Sequence, residues 1–177
     1  MIFVTVGQIN RFDRLVRTVD EWAGETGRPD VFAQIGKGGF TPLHAASAEM
    51  LGPEEFREKI HEAELVISHA GMGTILSVMQ AGTPMLVMPR LARYSETRND
   101  HQIASARAWK ERGGIEVASD ETELRKKLGD LGSLIAPTRR ISDRASDTLL
   151  TSIRSFIDGE RPEVIVRRAK RTRRRAA

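Results

Sequence analysis

A chain of 177 residues, 40% hydrophobic and 29% charged, is long enough to fold as one domain without staples and is neither a disordered chain nor a fibre. It holds no cysteine, which excludes a disulfide scaffold, a thiolate zinc site and a cysteine nucleophile. The net charge of +4 is unevenly spread: the last eleven positions carry seven basic residues and no acid, and taking these away leaves −3 for residues 1–166.

A mildly acidic body with a cationic end is not the footprint of a globular nucleic-acid binder, which spreads its basic residues over a folded face, so no nucleic-acid partner is expected. The end reads either as a solvated tail or as an adhesive for an anionic surface, where each Lys or Arg is worth about 1 kcal/mol close to acidic lipid. The expected organisation is a folded body over residues 1–160 and a basic, flexible tail over 161–177. No apolar run approaches the roughly 20 residues needed to cross a bilayer. The first residues lack a basic leader and read as a buried strand of a cytoplasmic protein.

In chain order, residues 1–6 are apolar and β-branched, and Gly7 ends that strand. Phe12, Leu15, Val16, Val19, Trp22 and Ala23 follow one-sided helical spacing, with Gly24 placed to stop it. A strand over 31–35 leads into the turn Gly36-Lys37-Gly38-Gly39. Pro53 suits a first helical turn, with Phe56, Ile60 and Ala63 as the buried stripe. A third strand spans 65–68, a helix 74–81 closed by Gly82, and a fourth strand 85–88 ended by Pro89. A helix over 99–112 and a strand over 115–118 follow. Asp120-x-x-Glu123 then reads as a capping box. After the break Pro137-Thr138-Arg139-Arg140, a last helix over 142–158 lines up Ala145, Leu149, Ile153, Phe156 and Ile157, a stripe suited to core packing or to docking a partner.

Five short strands alternating with helices, nearly all without polar alternation, predict a Rossmann-like α/β fold: a parallel sheet with helices on both faces and right-handed crossovers. Ligands of such sheets bind beyond the carboxyl ends of the strands. The residues expected there are Gly7 to Asn10, the Gly36 turn, His69 to Thr74, and positions 89–102. Glycines let a phosphate approach the backbone, and the helix that follows presents unpaired N–H groups, so a diphosphate suits positions 71–75, with Ser68, His69 and Thr74 adding side-chain hydrogen bonds. The same Gly-x-Gly also serves plain strand–helix packing. A nicotinamide site is excluded by the missing third glycine and the missing acid after the next strand. The Gly36 turn lacks the spacing of a Walker loop.

The run Leu65-Val66-Ile67-Ser68-His69-Ala70-Gly71-Met72-Gly73-Thr74-Ile75-Leu76, with Gly82-Thr83-Pro84, Asn99-Asp100-His101-Gln102 and the opening Val4-Thr5-Val6-Gly7, resembles the C-terminal domain of glycosyltransferase family 28. It is similar in particular to the small catalytic subunits of two-piece transferases, among them dolichol-linked N-acetylglucosaminyltransferases and bacterial exopolysaccharide glucuronosyltransferases. The resemblance covers about residues 1–130.

It implies a nucleotide-sugar domain equivalent to the C-terminal, donor half of a GT-B enzyme, inversion at the anomeric carbon, a UDP-sugar as donor, and no obligatory cofactor or metal. Carried over, Gly71, Met72, Gly73 and Thr74 hold the diphosphate with His69, and Gly7 and Gln8 belong to the loop closing over it. Asn99, Asp100 and Gln102 match the stretch that faces the donor sugar. His69 and Glu96 stand as catalytic candidates: a protonated His69 would assist the leaving group, and Glu96, Asp100 or His101 are the acids and bases at hand. The resemblance also allows the general base to come from the acceptor half. Ser77 stands where many relatives carry a ribose-binding glutamate, and Gln8-Ile9-Asn10 departs from a Thr-containing loop. Arg90, Arg93 and Arg98 either neutralise the diphosphate, meet a donor carboxylate such as glucuronate, or form a solvated cationic loop.

A GT-B enzyme needs two facing domains. The expected partners are therefore a UDP-sugar, a lipid-linked saccharide acceptor and a membrane-anchored, acceptor-binding subunit, with the chain held at the inner membrane face by that subunit and the basic tail. The rival expectation is a non-catalytic nucleotide-binding or scaffold module whose tail holds an anionic surface.

Overall fold

The computed structural model describes residues 1–134, 141–142 and 144–159. The chain divides into two compact units, residues 1–141 and 142–177; the expected boundary at 160/161 and the tail lie outside the described residues.

In the first unit the apolar stretches become the strands β1 (Ile2–Thr5), β2 (Val31–Gln34), β3 (Ala46–Ala48), β4 (Leu65–His69), β5 (Met85–Met88) and β6 (Glu116–Val117). All neighbouring pairs are parallel, in the order β3-β2-β1-β4-β5-β6. Every residue of β1, β4 and β5 is buried, as expected of strands covered on both faces. The edge strand β3 was not expected: Ala46-Ser47-Ala48 has no β-branched or aromatic residue, and only its pairing with β2 makes it a strand.

The helices are α1 (Asp13–Thr26), α2 (Pro53–Glu62), α3 (Met72–Ala81), α4 (His101–Arg112), α5 (Glu121–Leu128) and the short α6 (Leu131–Leu134), with a 3₁₀ turn at Ala92–Tyr94. Side chains of α1, α5 and α6 pack with Ile2, Val4 and Val6 on one face of the sheet. Those of α2, α3 and α4 pack with Phe3, Val66 and Val87 on the other. The single residue step between Phe3 and its neighbours is what sends them to opposite cores. There Phe3 meets the Phe56 ring edge-on at 5.7 Å, a geometry that adds about 0.5–1.5 kcal/mol to the burial itself.

Several boundaries differ from expectation, the last helix among them, which starts at Asp147 rather than at 142. Helix α1 passes through Gly24 and stops at Gly27, which takes the left-handed conformation (φ 64°). Gly24 lies within the helix beside the His44 ring, which a Cβ there would approach to 2.6 Å and displace. Helix α3 begins at Met72 rather than Thr74, and α4 at His101 rather than Asn99. The Asp120 carboxylate does accept the Glu123 N–H (2.8 Å), but Glu123 reaches back to the N–H of Ser119 (2.7 Å), one residue earlier than the reciprocal bond of a capping box.

In the second unit α7 (Asp147–Ile157) starts after a Ser146 cap whose hydroxyl accepts the Leu149 N–H. None of its residues is buried, and Phe156 and Ile157 are 73% and 74% exposed. The break expected at 137–140 lies outside the described residues.

Candidate functional site

The chain leaves β1 toward β3 and then returns to place β4 against β1, so the strand order reverses between these two. A crevice opens at the carboxyl ends of such a pair. It holds a cavity of about 520 Å³, lined from β1 by Gly7 to Asn10, from β4 and α3 by His69, Gly71, Gly73, Thr74 and Ser77, and from beyond β5 by Arg90, Thr97, His101 and Gln102, with Phe56 of α2.

The turn after β1 is held from below. Gly7, at φ +77°, donates its N–H to Thr5 Oγ1 (3.1 Å) and accepts from Gln34 Nε2 (3.1 Å). Arg90 donates Nη2 to the carbonyls of Val6 (2.7 Å) and Asn10.

Opposite, β4 ends at His69. Its ring is clamped between two glycines: a Cβ on Gly7 would lie 2.6 Å from Cε1 and one on Gly71 2.0 Å from Nε2. His69 is 9% exposed and its Nδ1 has no hydrogen-bond partner. Burial first, and then the Arg90 charge, push the imidazole down to about 3 against an opposing contact from the Thr5 backbone. At neutral pH His69 is therefore held in its neutral form.

After Gly71 the chain turns directly into α3. No side chain caps this end and no acid lies in its first turn. The first intrahelical bond of this turn runs from the Ile75 N–H to the Gly71 carbonyl (3.1 Å). The amides of Met72, Gly73 and Thr74 belong to the set that an α-helix leaves unpaired at its N-terminus, beside the positive end of its dipole. Ser68 takes no part in the cavity: it is fully buried and its hydroxyl donates to the His69 carbonyl (2.7 Å). Ser77 lines the wall, its hydroxyl bonded to the Gly73 carbonyl (3.0 Å).

Of the residues expected at the site, the fold brings Gly7, Gln8, His69, Gly71, Gly73, Thr74 and Gln102 to one cavity. Met72, Glu96, Asn99 and Asp100 do not line it. Met72 is 48% exposed at the first turn of α3. Asp100 accepts the Ala92 N–H (2.8 Å), and the Asn99 carbonyl oxygen lies against the His101 ring. Glu96 faces an adjoining cleft with Arg11, Lys37 and Arg98, and both its oxygens are taken by Arg14, so it is not a free base.

Of the three uses the sequence leaves open for Arg90, the structure removes the solvated one: it is 4% exposed, and burial lowers its guanidinium to about 10 despite the opposing influence of Glu96. Its position directly after the β5 apolar run, at the carboxyl end of a central strand, was the available signal. Phe56 and Thr97 carried none. Among the described residues no three His, Asp or Glu side chains gather as a metal site.

Comparisons with known proteins bear on this geometry. The curated relatives include the UDP-N-acetylglucosamine–N-acetylmuramyl-(pentapeptide) pyrophosphoryl-undecaprenol N-acetylglucosamine transferase of Wolbachia pipientis, 27% identical over 105 residues, which cover 59% of this chain and 30% of that protein. They also include the human UDP-N-acetylglucosamine transferase subunit ALG13, 31% identical over 125 residues, 64% of this chain and 10% of that protein. The chain thus spans a third or less of these relatives. Among solved structures, an ALG13 solution structure aligns with a TM-score of 0.57 at 19% identity, covering 86% of this chain and 93% of that one. Acinetobacter baumannii MurG aligns at 0.55 and 19%, covering 75% and 41%. These likenesses speak for the fold, the Rossmann-like half of a GT-B glycosyltransferase. The model of the glycosyltransferase family 28 C-terminal domain matches residues 1–145, which takes in every strand and every wall of the cavity, and on that match the chain belongs to this family.

Proposed function

We propose that this chain is the donor-binding, catalytic subunit of an inverting glycosyltransferase. It moves a sugar from a UDP-sugar to a polyprenyl-diphosphate-linked acceptor in exopolysaccharide or glycolipid assembly. The observation that carries this reading is the uncapped N-terminus of α3 opening into the cavity beside His69 and the Gly7 turn.

A diphosphate laid on these amides satisfies donors that otherwise lack partners. As the acceptor oxygen bonds to the sugar C1, the bond from C1 to the β-phosphate oxygen breaks and UDP leaves with the electron pair. The charge growing on that oxygen meets N–H groups already oriented, and one such donor is worth about 3–4 kcal/mol. Neutral His69 supplies a hydrogen bond rather than a charge. The acceptor proton needs a base. With Glu96 tied to Arg14, Asp100 to the Ala92 amide and the His101 ring to the Asn99 side chain, we assign it to a membrane-associated partner that faces the cavity and excludes water. The human relative's name as a transferase subunit supports such a division of labour. Both N-acetylglucosamine, named in the relatives, and glucuronate remain donors for this reading. No helix among the described residues is long and apolar enough to cross a membrane, so we assign membrane attachment to the partner and to the basic tail.

Titration calorimetry of the purified chain against UDP, UDP-N-acetylglucosamine, UDP-glucuronate and UDP-glucose tests this. Binding of uridine nucleotides without sugar transfer, and transfer once the partner is added, is the expected result. A folded sample that gives no heat with any of the four ligands removes the reading, and robust transfer by the chain alone removes the partner.

A further inference from the structure

We propose that Arg90 is a positioning residue for sugar transfer, which latches the loop between β1 and α1 across the cavity and supplies a buried positive charge for the donor diphosphate. The second half of this role rests on the donor-site reading above; the latch does not.

The latch is a matter of connections. Nη2 of Arg90 donates to the carbonyls of Val6 and Asn10, one on each side of the turn through Gly7, Gln8 and Ile9. The Arg90 backbone N–H donates to Oε1 of Gln102 (3.1 Å), itself buried on α4. The guanidinium carbon lies 5.4 Å from the centre of the fully buried Phe12 ring, which seats the start of α1. The side chain thus joins the end of β5 to the β1–α1 loop, while the backbone N–H of the same residue ties it to α4. The loop has few other ties: Ile9 is 91% exposed, Thr5 and Gln34 hold Gly7, the Val6 N–H donates to the Gln34 carbonyl (3.2 Å), and Arg11 Nη1 donates to the Gly38 carbonyl (3.0 Å).

The charge has no carboxylate in direct contact among the described residues. Two neutral carbonyls accept hydrogen bonds but cancel no charge. Arg90 Nε is buried without a partner. The acid that influences Arg90, Glu96, has both oxygens on Arg14. A cation held in this way is kept at a cost that an anion in the same cavity relieves. Its planar fork spans two acceptors, which the point charge of a lysine does not.

Two substitutions separate latch from charge. In Arg90→Met both are lost: hydrogen exchange of the amides at 7–11 rises at least about tenfold, and UDP affinity falls by about tenfold or more. In Arg90→Lys the charge stays and the fork goes: exchange still rises and kcat in the partner-reconstituted enzyme falls. UDP affinity and the UDP-sugar KM then stay within about threefold of wild type. A merely structural arginine would lower the melting temperature and move both variants together. Unchanged exchange at 7–11 in both variants overturns the latch, and equal UDP affinity in the two overturns the charge role. If Arg90→Met does not fold, Arg90→Gln takes its place, since it also removes the charge. A wild-type chain that binds no uridine nucleotide overturns the donor-site reading and the charge role together, while the exchange result still decides the latch.

Discussion

Arg14 of α1 and Glu96 of the loop after β5 meet as a fork, Nε to Oε1 and Nη2 to Oε2, both at 2.9 Å, with 13% and 10% of their side chains exposed. Glu96 Oε2 also accepts the Leu91 N–H (2.9 Å), and Arg14 turns Nη1 to Glu121 (2.8 Å). A glutamate that the sequence offers as a base is therefore the clasp that fixes the 90–98 loop to α1. Removing Glu96 takes two charged hydrogen bonds from Arg14 and leaves it the more exposed Glu121, at a cost of about 1.5–3 kcal/mol. Glu96→Gln should lose about that much stability in urea denaturation. The double variant Arg14→Met/Glu96→Leu should be more stable than either single change, and strict additivity of the two would show that they do not act as a pair.

The clamp on His69 makes a second prediction, and its sign follows from the direction of the shift. The native imidazole is pushed from its ordinary 6.5 to about 3. Between those values the unfolded chain binds a proton that the native state does not, so stability rises with pH. This contribution is complete above pH 6.5 and is lost as the pH falls from 6.5 toward 3, at about 1.4 kcal/mol per pH unit. Replacing His69 with Asn should remove one proton from that slope, read from urea midpoints between pH 4 and 7. An unaltered slope would mean that His69 titrates normally in the folded protein.

Gly71 gives a third. With Nε2 of His69 only 2.0 Å from where its Cβ would lie, Gly71→Ala must displace the ring or the turn, an overpacking cost of about 1–3 kcal/mol. The displaced turn carries the α3 amides with it, so UDP affinity should fall as well. In a His69→Ala background the same methyl has room, and the stability cost should shrink to near zero. An equal cost in both backgrounds would locate the strain elsewhere.

These three sites also mark how far the sequence could be read. The turns after β1 and β4 were legible because glycines follow the apolar strand stretches there, and such stretches, interrupted at Gln34 and Glu116, identified five of the six described strands. What was not legible depends on distance in the chain. Arg14 and Glu96 are 82 residues apart, and Arg90 and Asn10 are 80 apart, so no local spacing tells an arginine in a latch from one in solvent. Strand β3 owes its existence to a neighbour rather than to its own residues. Gly24 illustrates the converse: a glycine expected to end a helix lies inside it, beside the His44 ring.

The seven basic residues within 167–177 supply the last prediction. At about 1 kcal/mol for each Lys or Arg near an acidic bilayer, a stretch without any acid binds anionic lipid by charge alone, and salt screens it over a Debye length of about 8 Å at physiological ionic strength. Removing 167–177 changes no wall of the cavity. The shortened chain should therefore sediment less with vesicles containing phosphatidylglycerol, more so at low salt, and bind UDP as the full chain does. Vesicles of phosphatidylcholine alone should retain neither form through the tail. If instead the deletion abolishes salt-dependent RNA binding and leaves vesicle binding intact, the tail serves a nucleic acid and membrane attachment must rest on the partner alone.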